Sequence, residues 1–424
     1  DVGIEEFRVS TGSEAAEITA HLAVNDRQTL QFCTARQGTE IAARKIGGAA
    51  REHPRDNYVE TRAYHGGLGK RTRRGIENQL QTGAVDAVAS TNALELGIYI
   101  GGIDATVTSG YPGTRQSFWQ QIGRAGRGTT DALSVLVGGA DAMDSYILDN
   151  PSYLFEDDVE DAVVSIDNEQ VYADHLCVAA KERPLSGGDA GVLGDEERLA
   201  EMVSMWQEAG VLERGVDLDS GVHYTGDRRP ESRISIYDTS GRQYLVSCVD
   251  GEIDHDPVAK ERAYRDYHDG AIFLHDGEQY EVVDVDHGEP TARILVEKRR
   301  TGHYTQTLSQ KRISDLRPET SRDLGDGYRL WFGRADVEIS YDQYLVHDIS
   351  TGEVESGPHP TGSPPLSLDT ELMWVSLPEG NLGEIVTGLD VPLLEPTRHA
   401  EQDTGLTEPA RYTYAGGIHA AEHG

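Results

Sequence analysis

The feature that most restricts the fold is an alternation of short apolar runs with longer helical periods between residues 29 and 137. Thr29-Leu30-Gln31-Phe32-Cys33 reads as a buried strand, and the helical period that follows, 39–52, is ended by Pro54. Further strands are predicted at 59–64, 85–90, 105–109 and 132–137, with helices at 70–81, at 115–125 and from Asp141 onward. Strands separated by helices return to one sheet in parallel, so the pattern specifies an open, mostly parallel α/β sheet. The first 25 residues carry no comparable signal and read as weakly structured or as part of a longer element.

After Pro151 the character changes. Residues 156–180 are mixed, 184–194 are Gly-rich, and 196–209 predict an amphipathic helix with Leu199, Met202, Val203 and Trp206 on one face. Gly210-Val211-Leu212 then begins a wing-like return, so this part reads as a winged-helix-like module whose core holds Trp206. From 233 to 348, short alternating runs separated by Asp-Gly and His-Gly turns predict a β-rich domain. Residues 357–365 read as a Pro/Gly/Ser linker, 372–375 as a strand, and the segment beyond Pro409 as the start of a helix.

Charge separates the same regions. The 424 residues carry 38 Lys and Arg against 73 Asp and Glu, a formal charge of −35. Residues 1–150 hold 15 basic and 18 acidic side chains, whereas residues 151–424 hold 23 and 55. A uniformly acidic surface would repel phosphates, but the first region is close to neutral. Only six of the basic residues are lysine, and an acidic, Lys-poor surface suggests a salt-loving source. No run approaches the roughly 18 uncharged apolar residues of a membrane span, and the first residues lack the form of a signal peptide, so the expectation is a cytoplasmic protein with no membrane partner. Cys33, Cys177 and Cys248 are too few and too scattered for a disulfide framework or a four-cysteine zinc site, and no metal site is expected within the chain. Cys33 is expected in the core.

Two segments carry chemistry. Gln120-Gln121-Ile122-Gly123-Arg124-Ala125-Gly126-Arg127 ends a predicted helix with two arginines on one side of a turn, beside glycines that admit a polyphosphate. Guanidinium forks suit the charge that develops on a transferred γ-phosphate. The second, Ala89-Ser90-Thr91-Asn92-Ala93-Leu94-Glu95-Leu96-Gly97-Ile98, follows a predicted strand and therefore lies at the carboxyl edge of the sheet, where such sheets bind ligands.

Together with Leu30-Gln31-Phe32-Cys33-Thr34-Ala35-Arg36 and Tyr64-His65-Gly66-Gly67-Leu68, these segments resemble motifs IV, IVa, V and VI of superfamily 2 DEAD/DEAH-box helicases. Gly110-Tyr111-Pro112-Gly113-Thr114, Trp119-Gln120-Gln121, residues 269–280 and the terminal 416–423 are similar to the mitomycin-repair helicases and the fungal RecQ-four-like helicases, which end in a cysteine-rich zinc-binding domain. The resemblance implies a second RecA-like helicase domain at 26–155, after an N-terminal remnant or linker at 1–25. A helical, winged-helix-like module would occupy 156–230, a β-rich domain 231–360, and a linker, a strand and the start of a truncated zinc-binding domain 361–424.

By the same resemblance, Arg124 and Arg127 would contact the γ-phosphate, with Gln120 coupling nucleotide to strand. Gly97, Glu95 and Gly123 would border ATP, which with Mg²⁺ is bound jointly with a first RecA-like domain. Thr91, Asn92, Arg36, His65 and Gly66 would contact DNA, as a single strand or a forked duplex. Where the family continues Gly-Ile-Asp, this chain reads Gly97-Ile98-Tyr99, which removes a carboxylate that contacts ribose or orders the loop.

A phosphate loop is not found. Gly66-Gly67-Leu68-Gly69-Lys70-Arg71 is the nearest match, but Tyr64 replaces the first Gly of the pattern and Arg71 its Ser/Thr. No DEAD/DEAH box is seen, and Asp195-Glu196-Glu197 reads as carboxylates at a helix N-terminus. The expectation is the C-terminal portion of an ATP-dependent helicase, of 3′ to 5′ polarity and active in DNA repair, inactive in ATP hydrolysis by itself. It needs the first RecA-like domain, or a separate chain carrying one; the alternative is a noncatalytic nucleic-acid-binding subunit. Zinc is expected only if cysteines lie beyond this chain. His419-Ala420-Ala421-Glu422-His423 matches an inverted zinc-peptidase pattern, weighed as the weakest reading. The basic runs Lys70-Arg71-Thr72-Arg73-Arg74 and Lys298-Arg299-Arg300 read either as solvated faces or as phosphate-tracking patches.

Overall fold

The computed structural model describes residues 10–55, 58–96, 102–126, 131–156, 158–161, 169–215, 221–226, 229–233, 243–288, 292–325, 327–376 and 413–415. The chain divides into two compact units, one formed by Asp1–Asp157 with Gln243–Gly424 and the other by Asp158–Arg242.

The first unit begins with α1 (Thr11–Val24), β1 (Thr29–Phe32), α2 (Arg36–Glu52), β2 (Thr61–Tyr64), α3 (Lys70–Thr82), β3 (Ala87–Ser90), β4 (Ala105–Ser109), α4 (Arg115–Ile122), β5 (Leu133–Val137), α5 (Ala142–Asp149) and α6 (Ser152–Phe155). The strands form a parallel sheet in the order β2-β3-β1-β4-β5. Every residue of β1 and β3 is buried, as expected for a parallel sheet covered on both faces. Ile46 of α2 and the alanines of α1, α2, β2 and β3 pack one face. Leu30, Phe32, Val88, Ile76, Leu80 and Leu94 pack the other.

Residues 11–24, expected to be weakly ordered or part of a longer element, are a helix. Ala16, Ala20 and Ala23 lie buried on one face, and Ser10 caps the start by accepting from the Ser13 amide at 3.3 Å. Alanine gives so little hydrophobic contrast that this face is weakly marked in the sequence.

The same unit continues as β8 (Gln243–Cys248), β9 (Val258–Ala259), α9 (Lys260–Asp266), β10 (Ile272–His275), β11 (Glu278–Asp286), β12 (Ala292–Lys298), β13 (His303–Gly325), β14 (Tyr328–Asp348), β15 (Val354–Pro360), β16 (Leu366–Ser376) and β17 (Thr413–Ala415). These make two further sheets, β10-β11-β12-β8-β9 and an antiparallel β13-β14-β16-β17 with β15 paired to β14. The expected β-rich character holds, with the helix α9 inside it and two further differences near its end. The edge strand 354–360 runs into the segment 357–365 that was expected to be a linker, and residues 413–415, expected to be helical, pair with β16. Both depend on a partner strand far away in sequence, which local composition does not encode. The expected zinc-domain start at 416–424 lies outside the described residues.

The second unit packs α7 (Glu169–Glu182) and α8 (Glu196–Glu208) over the short hairpin β6 (Leu212–Arg214) and β7 (Val222–Tyr224). Leu176, Leu185, Leu199 and Leu212 form its core. Trp206 joins that core through an indole N–H donated to the Ala173 carbonyl at 2.9 Å, as the sequence suggested. Asp195 caps α8 by accepting from the Arg198 amide at 2.8 Å.

The α/β and β-rich parts of the first unit are joined by a cap supplied from outside the helix it serves. Gly69 precedes α3 with no side chain to cap it, and the Asp254 carboxylate accepts from the Thr72 amide and hydroxyl, each at 2.8 Å. These bonds hold the Asp254 carboxyl below its usual range. A Cβ at position 69 would lie 2.0 Å from Asp254 Oδ1, so any larger residue there would displace the capping carboxylate. Arg73 pairs with Asp256 at 2.7 Å beside it. Asp254→Ala should therefore cost about 1–2 kcal/mol in urea unfolding, as other lost N-caps do; an unchanged midpoint would show that the cap carries no stability.

Candidate nucleic-acid interface

The carboxyl ends of β1, β3 and β4 meet at the centre of the parallel sheet, where the chain crosses from one side of β1 to the other. Such a crossing leaves a crevice beyond the strand ends. A cleft of about 700 Å³ opens there. Arg36, His65, Thr91 and Asn92 line one wall, and Arg262, Phe273 and Tyr304 of the β-rich part line the other.

Arg36 begins α2 just beyond β1 and is half-buried. Burial, followed by the positive charge of Arg262, lowers its guanidinium to about 10. Among the described residues the Arg36 guanidinium has neither a carboxylate within ion-pair distance nor a hydrogen-bond partner. It lies against Gly66 and Gly67, where an added Cβ would stand 3.3 Å from Nη2 and from Nη1 respectively. The glycine pair thus makes the space that this side chain fills.

His65 is set by its neighbours. The Gly67 amide donates to Nδ1 at 3.1 Å, so Nε2 carries the hydrogen accepted by the buried Glu40 at 3.1 Å. Glu40 also accepts from the Asp276 and Gly277 amides at 2.7 and 3.0 Å. Burial pushes the Glu40 carboxyl up, but the hydrogen bond and electrostatic attraction from His65 and these two amides outweigh it and leave the carboxyl below its usual range. His275 and His255 stack next to this group at 4.5 Å, and His275 meets the His65 ring edge-on at 6.1 Å. Burial, with the charge of His275, brings His255 down to about 3, and burial also lowers His275.

The turn after β3 joins this wall to α4. Thr91 caps a short 3₁₀ turn, Asn92–Leu94, that leads into Glu95. Gln121 donates to the Glu95 carboxylate at 2.6 Å and accepts from Thr108 at 3.1 Å, while Ser117 donates to the same carboxylate at 3.2 Å. Arg124 is buried and donates to the Glu95 backbone carbonyl. Gly123 is exposed at the end of α4 and Gln120 is half-buried, so the buried connections run through Gln121, which the sequence reading passed over. Thr91, Asn92, Arg36 and His65 thus share the cleft, and Gly66 adjoins it; Glu95 joins the cleft to the Arg124 side. Gly97 and Arg127 lie outside the described residues, as does Tyr99.

Several neighbouring expectations are settled by the geometry. Cys33 is half-buried, packs against the core of the α/β part and also lines the cleft. Arg299 pairs with Glu281, and Arg300 with Glu278 at 3.6 Å, so that basic run is largely neutralised. His303, Asp348 and Glu355 bring possible metal-ligand atoms within 4.8 Å of one another. The Asp348 carboxylate, however, already accepts from the Ser350 and Thr351 amides at 2.8 Å, which closes its own turn.

Comparison with known proteins places this geometry. Residues 14–129 match the helicase conserved C-terminal domain. They form a superfamily 2 helicase C-terminal domain. A crystal structure of the DUF1998 helicase MrfA bound to DNA is similar with a TM-score of 0.72 and 26% identity, covering 98% of this chain and 57% of that one. The uncharacterized ATP-dependent helicase YprA of Bacillus subtilis (strain 168) is 29% identical over 387 residues, which are 88% of this chain and 48% of YprA. The ATP-dependent helicase HRQ1 of Saccharomyces cerevisiae is 26% identical over 86% of this chain and 34% of its own length. The chain therefore spans about half or less of these curated relatives. No helix among the described residues is long and apolar enough to cross a membrane.

The second wall of the helicase domain's cleft was not found in the sequence. Arg262 and Arg265 sit one turn apart on α9, a spacing that was visible, but α9 was hidden in a region read only as strands.

The histidine group gives a pH dependence with a definite sign. The folded pKa of His255, about 3, lies below the usual 6.5, so the unfolded chain binds the extra proton between these values and stability falls as pH falls through that window. His255 alone should remove about 2 kcal/mol between pH 7 and pH 5. Protonating part of the −35 surface acts in the opposite direction, so the informative comparison is with His255→Gln. That variant should lose less stability over the interval in urea unfolding; parallel losses would contradict the assignment.

Proposed function

We propose that this chain is the C-terminal part of an ATP-dependent DNA helicase and that its cleft holds the tracked strand. The observation that carries this reading is Arg36, a half-buried guanidinium at the carboxyl edge of the sheet, beside Thr91 and Asn92, with no carboxylate within ion-pair distance among the described residues. A phosphodiester supplies the missing anion, and hydroxyl and amide groups after β3 supply donors for its neighbours. The DNA-bound MrfA structure, similar over nearly the whole chain, supports a nucleic-acid strand as the occupant.

ATP with Mg²⁺ supplies the free energy of phosphoanhydride hydrolysis. The donor set on the Arg124 side fits a polyphosphate: a guanidinium at the end of α4, next to an exposed glycine and close to Arg127 in sequence. Arg124 and Arg127 are assigned to the γ-phosphate, Gln120 to coupling, and Gly97, Glu95 and Gly123 to the nucleotide border. The phosphate loop and the DEAD/DEAH carboxylates are assigned to a first RecA-like domain, on the same or a separate polypeptide. The domain limits given above, 3′ to 5′ polarity, a role in DNA repair, likeness to the mitomycin-repair and RecQ-four-like helicases, a following zinc-binding domain and a salt-loving source belong to the same proposal.

Two measurements test it. Fluorescence anisotropy with a labelled oligothymidine at low salt should show binding by the chain, weakened about tenfold or more in Arg36→Ala with a salt slope smaller by about one. An unchanged affinity would overturn the strand assignment. The chain alone should hydrolyse no ATP with or without DNA. Joined to a first RecA-like domain it should turn over, and Arg127→Ala should abolish that turnover; full activity in Arg127→Ala would reject the arginine's role.

A further inference from the structure

The cleft has two walls, and the wall contributed by the β-rich part is also charged. Arg262 and Arg265 lie one turn apart on α9 and both face the cleft. Their surroundings differ. Arg265 holds Asp266 at 3.0 Å through Nε and at 3.4 Å through Nη2, and it also approaches Glu261 at 3.8 Å. Among the described residues Arg262 reaches only the same Asp266, at 3.9 Å. One carboxylate thus serves two arginines and is committed to Arg265.

Arg262 therefore faces Arg36 with its charge mostly uncompensated. The charge of Arg262 is, after burial, the largest influence lowering the Arg36 guanidinium. Two guanidinium groups that repel across a half-buried cleft are stabilised by an anion between them. Residues 151–424 hold 55 acidic side chains against 23 basic ones, yet among the described residues Arg36 has no carboxylate within ion-pair distance and Arg262 has only the distant Asp266, at 3.9 Å. Arg299 and Arg300, outside the cleft, contrast with that and have their own glutamates.

We infer that Arg262 is a second strand-binding residue, and that it and Arg36 hold one backbone phosphate of a single nucleic-acid strand between the helicase domain and the β-rich part. This rests on the strand assignment made above and extends it to a residue outside the helicase motifs. Two hydroxyls on the wall around Arg262 are already engaged within the protein. The Thr305 hydroxyl is engaged with the Ile272 amide at 3.0 Å, and the Thr307 hydroxyl with the Arg265 carbonyl. A guanidinium pair of this kind contacts the backbone phosphate, which carries no sequence information directly.

The test uses the whole chain and the labelled oligothymidine. Arg262→Gln should weaken binding about tenfold and reduce the salt slope by about one, Arg262→Lys should retain the slope, and Arg300→Gln, outside the cleft, should match the parent. The double variant with Arg36→Ala should lose less affinity than the two single losses combined, because one phosphate is shared. Unfolding midpoints and the Lys variant separate loss of contact from loss of fold. Unchanged binding in Arg262→Gln, additive losses in the double variant, or displacement of the oligonucleotide by inorganic phosphate at constant ionic strength would overturn the inference. If Arg36→Ala weakens binding and Arg262→Gln does not, this inference alone fails. If the parent binds no oligonucleotide, the strand assignment fails with it.

Discussion

Glu40 is a buried carboxylate whose three donors come from two different parts of the first unit. His65 belongs to the loop after β2, while the Asp276 and Gly277 amides belong to the turn between β10 and β11. A carboxylate removed from water costs several kcal/mol unless such donors replace its hydration, so each part depends on the other to satisfy this group. The tie is then extended. His65 holds the Gly67 amide, the Gly67 carbonyl accepts from the Asp256 amide at 3.1 Å, and Asp254 caps α3. The cleft between the two walls has its shape because these bonds fix the walls to each other.

The parallel sheet was legible in the sequence because its signals are local. Leu30, Phe32 and Val88 sit in apolar runs of strand length, and Pro54 and Gly83 stand where helices end. The residues after β1 and β3 could be placed at the carboxyl edge for the same reason, and Arg36, Thr91 and Asn92 do meet there. What escaped depends on distant partners. Glu40 lies in an ordinary helical period and becomes special only through a turn more than two hundred residues later. Gln121 and Gln120 are adjacent and chemically identical, and only the pitch of α4 decides that Gln121 is the one turned toward Glu95. The long strands β13 and β14 were read as short runs because their register shifts break the alternation of apolar and polar residues.

Net charge says little about such a site. The chain is strongly acidic, yet around Arg36 and Arg262 the positive charge exceeds the nearby carboxylates that are free to pair. Association with a polyanion is set by the local balance within about 10 Å, since salt screens the remainder. An acidic exterior with an uncompensated cationic cleft also restricts where a strand can lie, because phosphates meet repulsion elsewhere.

On the proposed reading, the turn from Thr91 to Glu95 links the nucleotide side to the strand side. It has no slack: Leu94 is fully buried, and the Glu95 amide bonds back to the Asn92 carbonyl at 2.8 Å. Arg124 donates to the Glu95 carbonyl. If Arg124 turns toward a γ-phosphate, that carbonyl loses a donor in a buried setting, at a cost of about 1–3 kcal/mol. The turn can recover this by shifting, which would carry Thr91 and Asn92 with it through the buried Leu94. Exchange of one guanidinium between a carbonyl and a phosphate is thus a sufficient physical link between nucleotide state and grip on the strand.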